Sequence, residues 1–209
     1  HPSRQLTLEQ YAETTIEALE NVGVKSFHVL GAHTGSCEAI ELASKFPTCV
    51  KSIGLVTVPV FKPETIPEYK ASYLLEPEPD PEGEYLNWYW RWWKIGGFAG
   101  AAERSREWEP EILNKFVLDH LLTQPNAWWP HHAVFDHDAG VLLKDLKQPV
   151  LVFDVPDDLT EETKYAQKYF PKQTEVISLP THNDVLGHFT IGAKAIADSY
   201  MKFLNGINK

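Results

Sequence analysis

Residues 31–35, Gly31-Ala32-His33-Thr34-Gly35, have the G-x-Nu-x-G spacing of a nucleophile elbow, with an imidazole where the attacking group belongs. In such a turn a strand passes sharply into a helix and lifts one side chain above the sheet. The glycines give the strained turn its room, and the helix N-terminus aims N–H groups at developing negative charge. Enzymes with this turn mostly carry Ser, Cys or Asp at the tip. An imidazole forms no acyl-enzyme of ordinary stability, so its natural chemistry there is general base catalysis on a water. The positive end of the following helix disfavours a cation at His33, which predicts a neutral ring paired with a neighbouring acid or imidazole. Ser36 lies beyond the tip and Cys37 is predicted to face the interior, so neither replaces the missing nucleophile.

The elements that must position His33 are legible on both sides of it. The apolar run Phe27-His28-Val29-Leu30 predicts a strand, Ser36 to Phe46 a helix, and Ile53 to Val58 a second strand. Upstream, Thr7-Leu8-Glu9-Gln10 is a capping box. Ala12, Ile16 and Leu19 follow at helical spacing, and Gly23 stands where a C-terminal cap glycine belongs, giving a helix over 8–21. Late in the chain, strands are expected at 150–155 and 175–179, with helices from Glu161 to Phe170 and from Gly192 to Leu204. Strands alternating with helices make βαβ units. The four strands should therefore form one parallel sheet in chain order, with helices on both faces.

Residues 62–145 break this alternation, and all seven tryptophans fall there. The stretch includes a Pro/acid run, Glu76 to Glu82, that reads as an extended solvated linker. Helices follow near 84–95, 109–123 and 125–137. An insertion between two strands of a parallel sheet is a cap over their carboxyl ends, where ligands of such sheets bind. The division is thus 1–61 with 146–209 as core, and 62–145 as aromatic helical cap. The tryptophans either line an apolar pocket, with Trp88, Trp92 and Trp128 the candidates beside Thr34, or form the cap's own small core. The core reading is preferred for most of them, because Trp88-x-Trp90-x-Trp92-Trp93 cannot all face one way on a helix.

The 209 residues carry a net charge of −10, against nucleic acid or an anionic membrane as partner, since both call for a basic face. No apolar run approaches the ~18–20 residues of a membrane span, and residues 1–12 do not read as a signal peptide. Two cysteines make no disulfide framework, so a cytoplasmic setting with reduced thiols is the expectation.

The motifs Gly31-Ala32-His33-Thr34-Gly35, Ala39-Ile40-Glu41-Leu42-Ala43-Ser44-Lys45-Phe46-Pro47 and Pro149-Val150-Leu151-Val152-Phe153 with Asp157-Asp158, in this order over Leu6 to Leu204, resemble the α/β-hydrolase superfamily. Within it the chain looks like a subgroup carrying His-Thr-Gly at the elbow. The resemblance puts His33 at the nucleophile position and Asp158 at the acid, with Asp157 the near alternative and Glu64 a further one. It places the catalytic histidine past Leu179, at His182 by preference or at His188 in the more family-like Gly187-His188-Phe189. It implies a small-molecule substrate or ligand and no cofactor. Superfamily members usually carry strands ahead of the first helix here. The strand at 27–30 is therefore expected to be an exposed edge, and a homodimer paired around residues 24–31 to cover it, with an interface above ~2,000 Å².

Three functions compete. One is a hydrolase of a small apolar ester, amide or C–C substrate with His33 as base or unusual nucleophile. A second is a non-catalytic small-molecule-binding protein of the same fold. The third is a metal site from His33, His182 or His188, and Asp158, a ligand set of known type but the least favoured.

Overall fold

The computed structural model describes residues 3–73, 77–95, 110–179 and 191–207. Helix α1 spans Leu8–Asn21 and opens on the predicted box: Gln10 N–H donates to Thr7 Oγ1, and Thr7 N–H to Gln10 Oε1, each at 3.2 Å. It closes with Gly23 at φ +81°, where Gly23 N–H donates to Glu20 O and Val24 N–H to Leu19 O, both at 2.9 Å. These two bonds are a Schellman cap, which satisfies carbonyls the helix end would otherwise orphan. Leu8, Ala12 and Ile16 form the buried stripe that packs α1 on α2, Thr34–Lys45.

Four parallel strands, β1 (Phe27–Ala32), β2 (Val50–Val56), β3 (Val150–Asp154) and β4 (Thr174–Ser178), lie in the order β1-β2-β3-β4. This is the order expected from short connections. Alternation along the strands splits the core in two. Ile53, Leu55, Val150 and Val152 face α2, with Cys37 and Ile40 in the same cluster. Val56, Leu151 and Phe153 face the last helix, α9 (Ile191–Ile207), through Ile196 and Phe203. Strand β1 is an edge of the sheet, with Leu30 42% exposed. Across it Tyr200 of α9 donates its hydroxyl to Val29 O at 2.9 Å.

Between β2 and β3 run α3 (Ile66–Ser72), α4 (Glu84–Ile95), α5 (Pro110–Thr123), α6 (Trp129–Phe135) and α7 (Ala139–Leu143); α8 (Thr160–Ala166) follows β3. Helices α4 and α5 pair around fully buried Tyr89, with Leu113 and Val117. The acidic run read as a solvated linker has a second task. Asp80 accepts from Glu84 N–H at 3.1 Å and Tyr85 N–H at 2.9 Å, capping the first turn of α4. These backbone donors hold the Asp80 carboxyl below its ordinary range. The inserted segment is not uniform, since Ala133 and Val134 of α6 and Ala139 and Leu143 of α7 pack into the main core. His137 also bonds Glu41 of α2 at 2.7 Å. Among the described residues no helix is long and apolar enough to cross a membrane.

Candidate active site

His33 caps the start of α2 with φ 51° and ψ −118°, a left-handed backbone that only a tightly determined turn imposes on a residue with a Cβ. The turn's tightness shows at Gly31: a Cβ there would stand 2.1 Å from the carbonyl oxygen of Gly35, so glycine is obligatory. A Cβ at Gly35 would meet nothing within 4 Å, so the room comes from the strand glycine. Ser36 fastens the turn by donating its hydroxyl to Gly31 O at 3.0 Å and to Val56 O at 3.3 Å. It is fully buried and structural. Cys37 is equally buried, and burial pushes its thiol up to about 12, which removes it as a nucleophile. The other non-glycine residue at positive φ among those described, Thr57 (φ 57°), ends the adjacent strand; it is fully buried, and its hydroxyl has no hydrogen-bond partner among them. Strain thus gathers at neighbouring strand ends, where His33 N–H also donates to Val56 O at 3.1 Å.

The acid comes from the loop after β3. His33 Nε2 lies 3.0 Å from Asp157 Oδ2, and the Asp157 carboxylate is wholly shielded from solvent. Its second oxygen accepts from Leu159 N–H at 2.8 Å, while Asp157 N–H donates to Thr160 Oγ1 at 2.8 Å. This turn aims the Asp157 carboxylate inward at His33. Asp158, the residue preferred from the sequence, instead lines the cavity in front of His33, because consecutive side chains of a turn leave in different directions. Glu64 is exposed. His182 and His188 lie outside the described residues.

The cavity encloses about 30 Å³, enough for a water or two. It is lined by His33, Thr34 and Asp158 and by Tyr73, His131 and Phe135 from the inserted segment. Burial, with the charge of Asp158, keeps the Tyr73 hydroxyl protonated well above the usual phenol range.

No family model matches the chain, and no curated protein matches it by sequence. Solved structures do. An enol-lactonase from Burkholderia xenovorans LB400 superposes with a TM-score of 0.71 at 15% identity, over 98% of this chain and 75% of its own. A hydrolase from Pseudomonas aeruginosa PA01 gives 0.67 at 20% identity, over 96% and 74%. A thermophilic esterase from Thermogutta terrifontis gives 0.67 at 16%, over 99% and 75%. The chain has the α/β-hydrolase fold. At these identities the likeness establishes fold and not activity, and the chain spans about three quarters of these structures' lengths.

Within this hydrolase fold the tryptophans named as pocket candidates have another position. Trp88 stacks on Trp92 (6.0 Å, 21°), and Trp92 meets Trp128 (5.1 Å, 55°). Neither Trp88 nor Trp92 lines the cavity at His33, and Trp128 lines a separate opening with Trp129 and His132. Their large rings are spent on the insertion's own packing, where ring-to-ring contact replaces an aliphatic core. What the sequence did not single out is His131. No spacing ties it to the elbow; the one local signal is Pro130 in the first turn, which marks a helix start. One ring nitrogen of His33 and one carboxylate oxygen each from Asp157 and Asp158 lie within 4.8 Å of one another, so these three could hold a divalent cation. The direct His33–Asp157 bond already satisfies two of them.

Proposed function

We propose that the protein is a hydrolase of a small, largely apolar ester, amide or C–C substrate, in which His33 activates a water and Asp157 holds its ring. The observation that carries this reading is the 3.0 Å bond from His33 Nε2 to a solvent-shielded carboxylate. Asp157 accepts the Nε2 proton, which makes Nδ1 the basic nitrogen and stabilises the imidazolium once it has taken a proton from water. The water oxygen bonds to the substrate carbonyl carbon, the bond to the leaving group breaks, and His33 returns the proton to that group. The N–H groups of the first turn of α2 supply charge stabilisation beside His33. The inserted segment acts as the cap, and because the cavity beneath it admits only a water or two, the cap moves aside when a substrate enters. Enol-lactonase and esterase activities among structures of this fold agree with the reaction class.

The test is turnover of 4-nitrophenyl acetate by wild type, His33→Ala and Asp157→Asn. Hydrolysis reduced about 10²-fold or more in both variants is expected. EDTA should leave it unchanged; loss on chelation would transfer the site to the metal reading. A silent wild type with esterase activity gained in His33→Ser would instead favour a binding protein whose site lacks only a nucleophile. We also propose a homodimer through the β1 edge, where Val22, Val24 and Leu30 are exposed. Light scattering that gives a monomer overturns that assembly.

A further inference from the structure

We infer that His131, carried in by the insertion, is a second catalytic imidazole: a neutral hydrogen-bond donor, through Nε2–H, to the carbonyl oxygen of the substrate whose carbon is attacked at His33. The inference rests on the hydrolase reading above, and it concerns a second imidazole lining the same cavity.

His131 and His33 line one cavity from opposite segments of the chain, His33 from the elbow and His131 from α6. The His131 ring is gripped. It stacks on Tyr73 (centroids 5.0 Å apart, planes at 29°) and takes the edge of Trp128 (5.1 Å, 78°). Tyr73 is itself wedged against Trp128 (4.9 Å, 79°) and Phe135 (5.6 Å, 60°). Such a ring is pre-oriented and meets a ligand without first losing rotamer freedom.

Its protonation follows from one atom. Nδ1 is buried and has no hydrogen-bond partner among the described residues. A buried N–H without an acceptor is costlier than a lone pair without a donor, so the proton belongs on Nε2. Charging the ring would force a second, orphaned N–H onto Nδ1. In agreement, burial first, then His33, His120 and His132, push the His131 ring down to about 3. A neutral imidazole cannot be the proton carrier beside His33. It can donate one fixed hydrogen bond to an oxygen that gains negative charge, with no charge of its own to hydrate. No proton crosses to or from His131 in the step: water loses its proton to His33, and the leaving group receives it.

His131→Phe keeps the stacking ring and deletes the donor; His131→Asn keeps a donor and shrinks the ring. With 4-nitrophenyl acetate, His131→Phe should lower kcat about 10²-fold at nearly constant KM, and His131→Asn should recover part of the loss. The acid limb of the kcat/KM profile should be the same in wild type and His131→Phe, since it belongs to His33. An undiminished kcat in His131→Phe, a change in KM alone, or a displaced acid limb overturns the assignment. A readout independent of turnover uses 3-pentanone, a carbonyl that cannot be hydrolysed. In the 15N-labelled protein its addition should shift the His131 Nε2 resonance. A shift without any esterase activity would overturn the hydrolase reading and leave His131 as the carbonyl donor. Absence of the shift overturns His131 whatever the turnover. Matching circular dichroism and melting of His131→Phe and wild type establishes that the variant is folded.

Discussion

The sheet core and the inserted segment are packed by different means. In the core, Val150, Leu151, Val152 and Phe153 are all fully buried, alternate faces each packing on helices, and backbone pairing in register holds them. Position is set by the ladder, and side chains fill the space it leaves. In the insertion no ladder exists among the described residues. Tyr73, Tyr89, Trp92, Trp128 and their neighbours touch ring to ring, with centroids 4.8–6.4 Å apart. The ladder fixes the strand ends from which the elbow and the loop of Asp157 leave. A ring cluster is instead assembled from a few large contacts between residues distant in the chain. The two halves meet at the site: His33 and Asp157 stand on the rigid part and His131 on the aromatic part.

The largest expected effect breaks the rigid side. Gly31→Val brings a branched side chain into the Gly35 carbonyl, and no flexible neighbour can yield. A loss of about 4 kcal/mol or more is expected, read as a melting point lowered by roughly 10 °C or as failure to fold. An unchanged melting curve would refute the described elbow. Next come matched truncations. Phe153→Ala and Trp128→Ala should each cost about 3–5 kcal/mol, but to different units. Phe153→Ala should lower protection from hydrogen exchange throughout the sheet. Trp128→Ala should expose amides of α4 and α5 while the strands, and α6 docked on the main core, stay protected. Uniform loss in both would show that the two regions unfold as one.

Acid titration sharpens the comparison further. His131 is held neutral when folded and protonates near 6.5 when unfolded. The unfolded state therefore binds the extra proton as the pH falls, and stability drops from about 6.5 toward about 3. Urea midpoints should show that slope in wild type and a reduced one in His131→Phe; equal slopes would count against a neutral buried ring. The smallest effect is at the surface. Lys45 of α2 pairs with Glu9 and Glu13 of α1, yet all three are solvent-accessible, so Lys45→Ala should barely move the melting curve at low salt and leave it unchanged in high salt.

Wherever a few adjacent residues decide the outcome, the amino-acid sequence is enough. The Thr7–Gln10 box, the Gly23 cap, the G-x-H-x-G turn and the strand order all rest on local backbone preference or on short connections, so the residues alone make them legible. Even Cys37 is assignable, because its place in the first turns of α2 turns it inward. Tertiary structure alone decided which carboxylate serves His33. Asp157 and Asp158 are chemically alike and adjacent, and only the Thr160 and Leu159 bonds of that loop turn one of them inward. It alone decided that Trp88 and Trp92 pack among rings while His131 reaches the cavity. Those contacts join residues far apart in the chain through rings that fit many partners, and an aromatic side chain carries no periodicity that says which way its helix will dock. Local rules act within a turn of backbone; an active site is made where distant turns meet.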